Sequence, residues 1–155
     1  MYEVKEICRN GESLPLTTDG NLRVVFIGTG SAFAKRRRQS NILIIQGKHH
    51  VLIDCGTQGP LALNDLGLSV LDVRCYLPTH SHADHIGGLV SLVESIPTDT
   101  LLDTYSGYGS WTYNHLIERY SDLGTVIKNP KAGETLNISP MESIQYFAPD
   151  SIFFC

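Results

Sequence analysis

The residues most able to do chemistry lie in one run, Thr79-His80-Ser81-His82-Ala83-Asp84-His85-Ile86-Gly87-Gly88. The chain has six histidines in 155 residues, and three of them fall within six positions next to an aspartate, so chance is a poor account of the run. Alternate residues of an extended chain point the same way, so His80 and His82 can offer two imidazole nitrogens to one metal ion. Asp84 and His85 follow where the backbone turns into a helix, and from that angle they can supply an oxygen and a nitrogen to a second metal. Asp84 also suits the N-cap of that helix, where its charge would offset the positive end of the dipole. Gly87 and Gly88 would leave room for a bound substrate.

Other candidates are weaker. Asp54 closes the run Val51-Leu52-Ile53-Asp54 and has two readings: it orients a ligating histidine through its ring N–H, or it caps the turn at Cys55-Gly56. Lys35, Arg36, Arg37 and Arg38 form a basic run after a glycine-rich turn. The three arginines are candidate contacts for a substrate phosphate, and a solvated loop is the commoner meaning of such a run. His49 and His50 fall in an expected hairpin turn and are read as exposed. His115 falls opposite the apolar face Tyr113-Leu116-Ile117-Tyr120 and is read as a solvated helix position. Trp111, Tyr105 and Tyr108 could stack on bases, but burial is the favoured reading for them.

These groups need elements to hold them. Leu22–Ile27 is rich in β-branched and aromatic residues, reads as a strand and stops at Gly28-Thr29-Gly30, where the glycines let the backbone turn sharply or approach a bound group closely, an ordinary tight turn being the equal alternative. That turn is not a dinucleotide-binding loop, because Phe33 stands where a third glycine belongs and a strand comes next. Asn41–Gln46 and Val51–Asp54 flank Gly47-Lys48-His49-His50 as an antiparallel hairpin. A helix over Pro60–Leu66 is expected to end at Gly67, with Leu68 packing back on Leu63. Val73–Thr79 reads as a strand leading into the histidine run, and Ile86, Leu89, Val90 and Val93 recur as one helical face. Leu101-Leu102, Val126–Lys128, Thr135–Ile138, Ser143–Phe147 and Ile152–Cys155 read as further short strands, with a helix near Tyr113–Tyr120. The class is mixed α/β (α+β), with strands packed under helices.

Composition sets the limits. With 42% hydrophobic and 18% charged residues, the chain is globular and large enough to bury a core without staples, and a single domain over residues 1–155 is expected. The net charge is -4, with a third of the cations in the one basic run, which disfavours general coating of nucleic acid or membrane. Cys8, Cys55, Cys75 and Cys155 form no Cys-x-x-Cys pair, and the start lacks the apolar core of a signal peptide. A cytoplasmic protein with reduced, mostly buried thiols and no membrane partner is the expectation.

The His-x-His-x-Asp-His run resembles the signature of the metallo-β-lactamase superfamily. Phe26-Ile27-Gly28-Thr29-Gly30-Ser31-Ala32 and Leu52-Ile53-Asp54-Cys55-Gly56 narrow the resemblance to its ribonuclease Z-like phosphodiesterase branch. That branch commonly has proline where Ala34 stands, and an acidic residue near Thr57 and Gln58, so tRNA processing itself does not follow. The resemblance implies an αββα sandwich and two zinc ions, or manganese or iron in their place. His80 and His82 would hold the first ion and Asp84 and His85 the second. Asp84 would be the catalytic residue acting on a water shared by both. The implied substrate is a phosphodiester, an RNA end or a cyclic nucleotide, and a homodimer is compatible with it. In that superfamily further ligands come from later in the chain than any present here, and the run Ile152–Cys155 is apolar. The 155 residues are therefore read as an amino-terminal portion of a larger domain. A zinc hydrolase of thioesters or lactones and a catalytically incomplete metal-binding module are the alternatives.

Overall fold

The computed structural model describes residues 12–95, 97–103, 109–131, 133–139 and 142–145. The class is mixed α/β, and two compact units divide it. Pro97 closes the first unit, which also takes in Gly109–Arg119, while the second begins at Thr98 and resumes at Tyr120.

The first unit is built on a four-stranded sheet in the order β1 (Leu22–Gly28), β2 (Asn41–Gln46), β3 (His49–Ile53), β4 (Tyr76–Leu77). The first three strands are antiparallel neighbours, and β4 joins β3 in parallel. The β2–β3 turn is only Gly47-Lys48, with Gly47 at φ +58, the left-handed value that a tight two-residue hairpin loop demands. His49 and His50 therefore belong to β3 rather than to the turn, and His50 is half-buried. The expected strand from Val73 to Thr79 shrinks to two residues, because a one-turn 3-10 helix at Val70–Asp72 occupies the chain just before it.

Alternation sorts the sheet into two faces. Val25, Leu43, Ile45 and Leu52 are buried, and the core they form is completed by residues of the helices. The helical members are Ala62, Leu63, Ile86, Leu89 and Val93. Each fully buried aliphatic side chain among them contributes about 1.5–3 kcal/mol. On the opposite face, register aligns Phe26, Ile42, Ile53 and Leu77 in one row and Val24, Ile44 and Val51 in the next. Phe26 is 65% exposed and Leu77 48%.

Helix α1 (Gly59–Asn64) starts with Pro60 in its first turn and ends as expected. Gly67 takes φ +69, its N–H donates to Asn64 O, and the Leu68 N–H donates to Leu63 O at 3.0 Å, which satisfies the last carbonyls. Helix α2 (Ala83–Leu92) follows β4 and carries the buried Ile86 and Leu89, with the buried Val93 as its C-cap and Val90 half-buried at the edge of that face. Helix α3 (Trp111–Asp122) buries Leu116 and Tyr120.

In the second unit β5 (Thr100–Leu102) and β6 (Val126–Lys128) pair in parallel, and β7 (Thr135–Ser139) and β8 (Glu142–Gln145) form a hairpin. The expected strand Ile152–Cys155, Phe147, Tyr105, Tyr108, Cys8 and Cys155 lie outside the described residues. Among the described residues no helix is long and apolar enough to cross a membrane.

Candidate functional site

The motif loop sits where β3 and β4, running in parallel, both end. Asp54 follows β3 directly with φ +61, a left-handed conformation that aspartate tolerates better than most residues. That backbone position is held by the Asp54 N–H donating to Leu77 O at 3.2 Å. The 93% buried carboxylate is well satisfied. Oδ1 accepts from the Thr79 backbone N–H at 2.7 Å and lies 2.9 Å from the Thr79 hydroxyl, and Oδ2 lies 2.7 Å from His85 Nδ1. A carboxylate there favours a proton on Nδ1 and leaves the Nε2 lone pair outward.

Two tight backbone approaches then set helix α2. The Cys55 N–H donates to His85 O at 2.7 Å, and the Gly88 N–H donates to Cys55 O at 2.9 Å. A side chain on Gly88 would strike the Cys55 and Gly56 carbonyls, and one on Gly87 would strike the Thr57 methyl. Both glycines are buried against the Cys55-Gly56-Thr57 turn, so they serve helix-to-turn packing rather than space for a substrate. Gly28, which ends β1, and Gly30 just beyond it lie against the backbone of residues 37–39, so their close approach is to the chain itself rather than to a bound group.

Around this frame the motif side chains gather. The His80 ring centroid is 3.7 Å from that of His85 and 4.8 Å from that of His82. His85 Nε2 lies 3.3 Å from Asp84 Oδ2. The N-cap of α2 is His82, with no side-chain cap bond, so Asp84 does not cap the helix. It stands inside the first turn, where its charge still favours the dipole. Burial, then the nearby His85 and His82 rings, push the His80 imidazole below its ordinary pKa, against the opposing pull of Asp54 and Asp84.

Imidazoles beside a carboxylate form a donor set whose chemistry fits a divalent ion of the zinc type. His85 is already oriented for it through Nδ1. The side chains are adjacent but not convergent: among the described residues no three His, Cys, Asp or Glu side chains are arranged to hold one metal ion.

Two residues with no assigned part in the sequence reading hold this loop. Thr79 bridges Asp54 to the histidines, its hydroxyl lying 3.1 Å from His80 Nδ1 and 3.2 Å from His85 Nδ1. Ser110 caps α3 by accepting from the Tyr113 N–H at 3.1 Å, and its hydroxyl donates to Ser81 O at 2.6 Å. A serine just before an amphipathic helix is a readable cap signal, but its reach to Ser81, 29 positions away, is not local information.

The remaining candidates lie apart from the cluster. Arg38 pairs with Asp65 at 3.2 Å at the end of α1, while Arg36 and Arg37 are exposed. His115 is half-buried and stacks on Trp111 at 5.2 Å, and Trp111 is 76% exposed, contrary to its expected burial. A helix-surface stack of this kind shields the histidine with an aromatic that itself stays in water.

The family model described as "Anti-Pycsar protein Apyc1" matches residues 22–96, the stretch that carries β1 through α2. The anti-Pycsar protein Apyc1 of Paenibacillus sp. (strain J14) is 48% identical over 71 residues, covering 46% of this chain and 29% of that protein. The protein of the same name from Bacillus phage vB_BsuM-Goe3 is 43% identical over 68 residues, covering 43% and 26%. The matched part thus spans less than a third of the length of these curated relatives. Among solved structures, a diphosphatase from the PhnP family is 15% identical with a TM-score of 0.49, covering 76% of this chain and 54% of that one. The metallo-β-lactamase fold protein YhfI from Bacillus subtilis is 24% identical with a TM-score of 0.49, covering 77% and 49%. The sequence likeness is to proteins of the anti-Pycsar name, where the motifs alone had suggested a ribonuclease Z-like branch.

Proposed function

We propose that this chain carries the metal-binding part of a metallo-β-lactamase-like αββα domain that hydrolyses phosphodiesters. The observation that carries the reading is the Asp54–His85 contact beside the His80, His82 and Asp84 side chains, because a carboxylate behind an imidazole is what a metal-ligating histidine needs. In this reading His80 and His82 hold one ion and Asp84 and His85 another, with zinc as the first choice and manganese or iron as substitutes. Such ions supply Lewis acidity toward water and the phosphoryl oxygens. Asp84 accepts the proton of the attacking water, and Thr79 and Asp54 keep the His85 ring in the tautomer that presents Nε2. Arg36 and Arg37, exposed in the loop after β1, are the candidates for drawing in the substrate phosphate. Of the two substrates in view, a cyclic nucleotide is taken before an RNA end, because the likeness over residues 22–96 is to anti-Pycsar proteins.

Metal analysis and a substrate panel test this together. With only two motif ligands for each ion, these 155 residues should bind zinc weakly and turn over slowly, cleaving a cyclic nucleotide or bis(p-nitrophenyl) phosphate in preference to a thioester. His80→Ala with His82→Ala should lose the metal, and His115→Ala should keep it. Asp84→Asn should lower turnover at saturating zinc by about 100-fold or more. Zinc retained without turnover of any ester would favour a catalytically incomplete metal-binding module. Equal metal content in all variants would overturn the assignment.

A further inference from the structure

The opposite end of the same sheet holds a second polar site. A cavity of about 610 Å³ opens beside the β2–β3 turn, lined by Lys48, His50, Arg74 and Thr17, by Asp72, and by an apolar wall that includes Leu14 and Leu68. His50 and Asp54 lie at the two ends of β3, so this cavity is about 13 Å along the strand from the motif loop at a rise of ~3.3 Å per residue.

Its walls are fixed by hydrogen bonds. The segment before β1 is tied at one end by the Leu14 N–H to Leu66 O at 2.9 Å and the Ser13 hydroxyl to Gly67 O at 2.8 Å. At its other end the Thr18 N–H donates to Gly47 O, and the Gly47 N–H donates back to Thr18 Oγ1, both at 2.8 Å. The floor is His50, whose Nε2 lies 3.0 Å from Asp72 O and 3.2 Å from the Arg74 backbone nitrogen. Its Nδ1 is enclosed by the protein and has no hydrogen-bond partner among the described residues.

Among the described residues the cavity is lined by two cations and one carboxylate. The Lys48 ammonium and the Arg74 guanidinium make no ion pair among the described residues. The one acidic lining residue, Asp72, has its Oδ2 engaged by the Ser69 N–H at 2.6 Å in the capping box of the 3-10 turn. Two cations to one carboxylate, a hydroxyl and a leucine wall in one cavity match an anion with an apolar body.

We propose that this cavity is a second ligand site, distinct from the histidine cluster, that binds a phosphate-bearing small molecule. Lys48 and Arg74 take the phosphate beside the Thr17 hydroxyl, and the leucines cover the organic part. The proposal does not depend on the activity of the motif loop.

Amide chemical-shift mapping of the whole 155-residue chain, titrated with inorganic phosphate and separately with 5′-AMP, tests it. Shifts should appear around Thr17, Lys48, His50 and Arg74 and should persist in the His80→Ala, His82→Ala variant. Lys48→Gln with Arg74→Gln, two exposed positions whose change should leave the fold intact, should weaken binding by about tenfold or more. Tighter binding of 5′-AMP than of phosphate would assign the leucine wall to the organic part, and equal binding would assign the site to the phosphate group alone. Shifts confined to residues 80–85, no shift with either probe, or undiminished affinity in the double variant would each overturn the proposal. A failure of the phosphodiesterase reading would leave these outcomes unchanged.

Discussion

Asp54 Oδ2 lies 2.7 Å from His85 Nδ1, although 31 residues separate them in the chain. The contact joins the end of β3 to the first turn of α2 and determines which nitrogen of His85 faces outward. Asp54→Asn keeps a residue that accepts the left-handed backbone but replaces the carboxylate with an amide. We expect ¹⁵N spectra to show a changed His85 tautomer distribution and zinc affinity to fall about 10- to 100-fold with little change in fold. An unchanged tautomer would show that Asp54 does not orient the ring.

Gly88→Ala should be among the most damaging small substitutions in the first unit. Its Cβ would sit 2.5 Å from Gly56 O and 2.9 Å from Cys55 O, and these are backbone atoms that cannot swing aside. A loss of about 1–3 kcal/mol in denaturant unfolding is expected, where a helix-interior Gly→Ala change at an open site would stabilise. A gain in stability would place α2 farther from the turn.

Ser110→Ala removes both the cap of α3 and the hydrogen bond to Ser81 O. The cap alone is worth about 1 kcal/mol. Amide hydrogen exchange should accelerate in the first turn of α3 and also around Ser81, and acceleration confined to α3 would mean that Ser110 does not steady the motif loop.

Cys55 is buried, and that burial, with Asp54 beside it, pushes its thiol up to about 12 from an ordinary value near 9. It should resist alkylation in the native protein at pH 8 and react once unfolded, as peptide mapping would show. The native thiol holds its proton where the unfolded one loses it, so stability should decline as pH rises from about 9 toward 12. Cys55→Ala should flatten that decline, and a parallel decline in both proteins would assign it to other groups.

Much of this was legible in the sequence because it rests on local rules. The β2–β3 hairpin follows from the polar turn at Gly47 between two apolar runs, although the turn read as Gly47–His50 closes at Lys48; the end of α1 follows from Gly67, and the core face of α2 from the recurrence of Ile86, Leu89, Val90 and Val93. The grouping of His80, His82, Asp84 and His85 was equally local, since their spacing allows little else. Tertiary structure decided what depends on partners distant in sequence. Helix boundaries made His82 rather than Asp84 the cap, because the turn into α2 is set by the Cys55 and His85 backbone bond. Between two open readings of Asp54, a turn cap or a histidine partner, only the approach of β3 to α2 brings a specific imidazole into range. The second cavity had no sequence signature at all, for Thr17, His50 and Arg74 become neighbours only when the segment before β1 is tied across the β2–β3 turn. Periodicity and capping act over a few residues, whereas a cavity is the space left between segments that the chain brings together from far apart.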